Sequence, residues 1–205
     1  MNRLGKSFID NEGLLLREFG FKPDKGTVEL DSAKFMTFYH YTHEDKLDQI
    51  FSPHSGLLAR RPVTCPNVPE RFKDCFLTEG FLERLPNWVT NCPYFNDLGY
   101  ELMRKYIGNT LLEIKLPVGD FNIYIADYAH VLECKSADIR GKTELNLEYD
   151  CSSGIEVTQA YVNSYIPEKE YNGGHVAPTV QVLRKGEGIV VPSKYISVSK
   201  VQPLK

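Results

Sequence analysis

One histidine, His40, stands in the stretch FYHYT, followed directly by Tyr41 and Thr42 at the close of an aromatic, β-branched run. An imidazole at such a place either packs in a core against a main-chain carbonyl or offers a nitrogen to a ligand. Two H-x-[ST] motifs would make a histidine-pair phosphoesterase, but only His40 begins one: His130 is followed by Val-Leu and His175 by Val-Ala. With His43 and His54 the chain has five histidines, none in an H-E-x-x-H or comparable spacing, so no metal is expected. Its five cysteines (Cys65, Cys75, Cys92, Cys134, Cys151) are odd in number and never form C-x-x-C, which points to reduced thiols rather than a disulfide framework. A Cys-His nucleophile pair has no local signature here.

Other common chemistries lack their sequence marks. There is no G-x-G-x-x-G after a strand, no G-x-x-x-x-G-K-[ST] loop and no G-x-S-x-G elbow. The 205 residues, 42% of them hydrophobic, suit one domain with a real core. A net charge of −3 creates no global basic field toward nucleic acid or an anionic membrane. No apolar run reaches the roughly 18 residues of a membrane helix, and the first residues lack a signal-peptide apolar region. The expectation is a cytoplasmic protein without a membrane partner.

The elements that must position these side chains follow from periodicity and breakers. Residues 1–30 form an N-terminal extension expected to pack on a domain spanning 31–205. KFMTFYHYT reads as a strand entering a short helix, with Thr42 as its cap, Asp45 three residues on, Leu47, Ile50 and Phe51 as the apolar face and Pro53 as the stop. After a Pro-rich loop come the short apolar run CFLT and one helix around Asp97–Ile107. The segments TLLEIKLPVG, FNIYIADYAHVLECK, GIEVTQAYVNSYI, TVQVLRK and GIVVPSKYISVSKV read as strands bounded by Gly, Pro, Asp and Asn. The result is an α+β domain with short helices early and a mixed or antiparallel sheet late.

Met36–Leu58 resembles the first motif of the ADP-ribosyltransferase fold: a strand ending His-Tyr-Thr, a short helix of the type EDKLDQIF and a Gly-Leu turn in SGLLA. The resemblance implies a split mixed or antiparallel sheet with short helices. It also implies that His40, with Tyr41 and Thr42 beside it, binds NAD as co-substrate. DCFLTEGF matches the family strand that ends in a small hydroxyl residue, which gives Thr78 to the nicotinamide pocket. Tyr94, or its neighbour Phe95, is placed to stack on the nicotinamide ring, although buried packing is the alternative for both.

The resemblance further implies a late-strand glutamate that stabilises the cationic ribose formed when nicotinamide leaves, as a pre-oriented carboxylate does for developing positive charge. Glu187, in GEGIVVPSKYISV, and Glu156, in GIEVTQAY, are the two catalytic candidates, while APTVQVL offers only Thr179 or Gln181 where an acid could stand. The implied activity is transfer of ADP-ribose to a protein or nucleic-acid acceptor, as in a toxin or effector. Two alternatives stand beside it: an inactive binding module of the same fold, and an RNA 2′-phosphotransferase type of enzyme using the Arg60-Arg61 pair for phosphate.

Overall fold

The computed structural model describes residues 35–84, 108–131, 154–175 and 177–199. The N-terminal extension, the helix expected around Asp97–Ile107, Tyr94 and Phe95 lie outside these residues. The strands in chain order are β1 (Phe35–Thr42), β2 (Gly56–Ala59), β3 (Arg61–Pro62), β4 (Cys75–Phe81), β5 (Thr110–Pro117), β6 (Asn122–Asp127), β7 (Ile166–Pro167), β8 (Pro178–Lys185), β9 (Gly188–Pro192) and β10 (Ile196–Val198). Among the described residues, α1 (Leu47–Phe51), α2 (Gly154–Asn163) and a helical start at residues 129–131 join them. The class is α+β, with an antiparallel sheet and few short helices.

The main sheet runs β10-β5-β1-β4-β8-β6-β7, with β3 also on β4, while β2 and β9 form a separate two-stranded sheet. Its strands are joined unequally. β1 pairs with β5 over all eight of its residues, from Phe35↔Pro117 to Thr42↔Thr110. β4 pairs with β8 from Cys75↔Lys185 to Phe81↔Thr179. Between these two halves β1 and β4 share one register pair, Tyr39↔Phe81. Antiparallel pairing between β1 and β4 is therefore confined to the residue next to His40.

Alternation along the strands sends residues of each to opposite faces and builds two cores. On one face, Met36, Phe38, Leu112, Ile114, Ile125, Val180 and Val182 meet Leu57, Ala59, Val190 and Val191 of the β2–β9 pair and Ile50 of α1. On the other, Leu77, Ala126 and Leu183 pack with Phe72, Val162 and Tyr165.

Several sequence expectations are corrected. Thr42 does not cap α1: it is the last residue of β1, opposite Thr110, and His43 precedes a 3-10 turn with no side-chain cap bond. The pairing with β5 claims Thr42 for the sheet. GIEVTQAYVNSYI is not a strand but contains α2, whose Tyr161 and Val162 enter the second core together with Tyr165 just past the helix end. β-Branched content was the misleading signal, since tertiary burial overrides so weak a propensity. In FNIYIADYAHVLECK the strand ends at Asp127, whose Oδ1 accepts the Ala129 amide at 3.0 Å and turns the chain into a helical start.

Candidate functional site

His40 lies at the seam where the two halves of the sheet part. Its Nδ1 is 2.6 Å from the main-chain oxygen of Glu79 on β4. A carbonyl only accepts, so Nδ1 carries the proton and donates. Burial lowers the His40 pKa, opposed by the Glu79 carbonyl bond and by the Glu79 charge, so the ring is held neutral. Nε2 is then an acceptor, suited to a hydroxyl or an amide N–H.

The seam stays narrow because of Gly80. A Cβ there would stand 2.6 Å from the Tyr39 carbonyl oxygen and 2.7 Å from the Phe38 ring, so β1 approaches β4 this closely only beside glycine. The end of β1 has a similar constraint, since Gly108, at φ +107°, lies against the Thr42 carbonyl, where a Cβ would come within 2.1 Å of the oxygen.

One residue before Gly80, the Glu79 side chain enters the opposite face and meets three elements. Its Oε2 pairs with Arg61 Nη2 of β3 at 2.8 Å. Its Oε1 accepts from the Tyr161 hydroxyl of α2 at 2.8 Å and from Gln181 Nε2 of β8 at 2.9 Å. Thr179 Oγ1 is 3.1 Å from the Tyr161 hydroxyl and also 3.1 Å from Gln181 Nε2. Register explains the convergence: Glu79 faces Gln181 directly, and Phe81 faces Thr179.

The carboxylate dictates the polarity of this group. It accepts only, so Gln181 must present its amide nitrogen; this leaves Gln181 Oε1 buried without a hydrogen-bond partner among the described residues, at a cost of about 1–3 kcal/mol. Burial, then the Glu79 charge, pushes the Tyr161 phenol well above its ordinary range, so it keeps its proton and donates it. The Arg61 pKa is raised: burial works against its charge, but the Glu79 charge and hydrogen bond outweigh that.

A second polar group fixes the end of α2. His175 Nε2 lies 3.2 Å from Ile125 O and 3.0 Å from Ser164 O, and its Nδ1 is 3.9 Å from Asp127 Oδ2. Ser164 Oγ donates to Tyr161 O at 2.7 Å and accepts the Asp127 amide at 2.9 Å. Asp127 Oδ1 also receives the Ala177 amide at 2.9 Å. The helix that carries Tyr161 is thereby pinned to β6.

The sequence-derived candidates fall in different places. Tyr41 donates its hydroxyl to Arg84 O at 2.8 Å and sets its ring edge-on to Phe81, with centroids 6.1 Å apart. Thr78 is buried on β4 opposite Val182, on the face away from the Glu79 carboxylate. Glu156 is exposed in the first turn of α2. Glu187 is exposed in the turn between β8 and β9, where its carbonyl accepts from Arg184 Nη1 at 2.7 Å. That turn follows the Cys75↔Lys185 pair, four residues of strand, about 13 Å, from Glu79. The structure therefore brings His40 together with the Glu79 main chain and brings neither Glu187 nor Glu156 to them.

The residues missed by sequence reasoning are Glu79 and Tyr161. A carboxylate amid the apolar run CFLTEGF was the available signal for Glu79. Thr179 and Gln181, the positions where an acid was sought, are neutral neighbours of an acid supplied by the adjacent strand.

Among the described residues, no group of three or more His, Cys, Asp and Glu side chains is arranged to hold a metal ion. None of the described helices is long and apolar enough to cross a membrane. No protein-family model matches the chain, and neither the curated proteins nor the solved structures yield a significant match.

Proposed function

We propose that the chain is an NAD-dependent ADP-ribosyltransferase, with His40 binding NAD and the Glu79 carboxylate, rather than Glu187 or Glu156, assisting departure of nicotinamide. The observation that carries the reading is the seam between β1 and β4. There a histidine of the HYT motif, neutral and presenting an acceptor nitrogen, is bonded to the same residue whose carboxylate is oriented by three partners. A sheet divided between two extensively paired halves accords with a split-sheet architecture.

In the proposed step the bond between ribose C1′ and the nicotinamide nitrogen breaks, and its electron pair leaves with nicotinamide. The cation at C1′ is stabilised by a carboxylate whose orientation is already fixed, so little reorganisation opposes the reaction. A nucleophile of the acceptor then bonds to C1′ and loses its proton to solvent. His40 Nε2 receives a hydroxyl or amide hydrogen of the bound dinucleotide. The RNA 2′-phosphotransferase alternative is weakened because Arg61 is engaged by Glu79.

Calorimetric titration with NAD, run alongside a nicotinamide-release assay on wild type, His40→Ala, Glu79→Gln and Glu187→Gln, tests this reading. The wild type binds and releases nicotinamide. His40→Ala binds more weakly. Glu79→Gln binds but releases nicotinamide about 100-fold more slowly, and Glu187→Gln behaves as wild type. Absence of binding at millimolar NAD overturns the proposal, as does full release by Glu79→Gln.

A further inference from the structure

We infer that Tyr161 is a positioning residue whose hydroxyl, brought across the sheet face by α2, aims the Glu79 carboxylate. This rests on the reading of Glu79 as the working acid and adds the residue through which a different element controls it.

The direction of the hydrogen bonds supports this role. A phenol has one proton to give, and the charged atom within its reach is Glu79 Oε1, at 2.8 Å. Gln181 Nε2, 3.0 Å from the same hydroxyl, donates to it, and Thr179 Oγ1 stands 3.1 Å away. The Tyr161 oxygen is thus supplied with donors, while its own hydrogen goes to the carboxylate.

Geometry supports it as well. Oε1 is gripped from two directions, by α2 and by β8, which fixes rotation of the carboxyl group. Oε2 has Arg61, whose side chain is 59% exposed and therefore a weaker constraint. The end of α2 is anchored through Ser164 and His175, so the phenol reaches Glu79 from a fixed support. A purely structural role would instead reside in the ring, which packs edge-on against Tyr165 at 5.5 Å and Tyr128 at 6.0 Å. Phenylalanine keeps that packing and removes only the hydroxyl.

The experiment compares wild type, Tyr161→Phe and a protein with 3-fluorotyrosine placed at 161, a stronger donor of the same shape. It reads kcat for nicotinamide release, Kd for NAD and the 13Cδ resonance of Glu79, assigned by its loss in Glu79→Gln. Tyr161→Phe is expected to lower kcat about 10- to 100-fold, the effect of one hydrogen bond to a charged group, with Kd unchanged. Its Glu79 resonance moves, and fluorotyrosine moves the resonance in the opposite sense. An unmoved Glu79 resonance in Tyr161→Phe overturns the inference, as does unchanged kcat in an active protein. If the wild type releases no nicotinamide, the functional reading fails and the resonance alone decides whether Tyr161 governs the carboxylate. If Tyr161→Phe does not fold, the fluorotyrosine protein decides in the same way.

Discussion

At His40 a neutral ring is maintained chiefly by burial, and this makes stability depend on pH in a definite direction. The folded-state pKa lies below the ordinary 6.5, with the Glu79 carbonyl and charge only partly offsetting desolvation. As pH falls below that value the unfolded chain takes up the proton first, so it binds more protons than the folded one and stability drops. The loss starts near the unfolded pKa and continues until the folded ring protonates as well; above this window the contribution is flat. His130, also lowered by burial, acts in the same direction. Replacing His40 with Gln is therefore expected to reduce the fall in Tm between neutral pH and about pH 5, while His130 leaves a residual slope. An unchanged slope in the variant counts against a desolvated His40. The residue itself was legible, because HYT at a strand end is a local pattern. Its partner was not: contact with Glu79 depends on how β1 meets β4 across a long separation in sequence.

At the scale of elements, the seam depends on β4 presenting no side chain at Gly80. Alanine there places a methyl group against the Tyr39 carbonyl and the Phe38 ring, and Phe38 has no free space, being fully buried. Gly80→Ala is expected to cost about 1–3 kcal/mol in urea unfolding, the range for overpacking a close-packed interior. It should also lengthen the His40–Glu79 contact, visible as a changed His40 Nδ1–H signal by NMR. Stability equal to wild type shows that the strands can separate freely there. β5, β6, β8 and β9 were readable from β-branched and aromatic segments between breakers, whereas β4 showed only as the short apolar run CFLT and became a strand through the resemblance. The α2 segment was not, since GIEVTQAYVN has strand-like composition and its helical form becomes decisive only when Tyr161 and Val162, with Tyr165 beyond the helix end, have a sheet face to cover. Glu79 stayed hidden for a related reason: its significance comes from the Glu79↔Gln181 register and the arrival of α2, neither of which is local in sequence.

At the scale of the molecule, the two cores differ in chemistry and so in the conditions that break them. The fully buried part of the core under β2 and β9 is aliphatic apart from Phe38, with Phe76, Phe121, Tyr171 and Tyr195 half-buried at its margin, whereas the α2 side buries Phe72 and Tyr165 at its centre, with Phe72 edge-on to Tyr124 at 4.9 Å and to Tyr165 at 5.4 Å. Burial is the leading cause that raises the Tyr161 and Tyr165 phenols above their ordinary 10.0, and the Glu79 charge adds to it in both. Above that pH the unfolded chain gives up protons that the folded one retains, so the folded state binds more and stability falls as pH rises. Below it these phenols are protonated in both states and contribute no pH dependence. Alkaline titration should therefore show two populations of tyrosine by absorbance near 295 nm, one ionising in the ordinary range and one only together with loss of structure. Tyr161→Phe and Tyr165→Phe each remove one group from the late population and flatten the alkaline fall in Tm. A single smooth titration that precedes unfolding contradicts this packing of α2 on the sheet. The Glu79 carboxylate stands in this more polar half of the molecule, held there by Tyr161, so nicotinamide release by the proposed reaction is expected to disappear together with the late tyrosine transition.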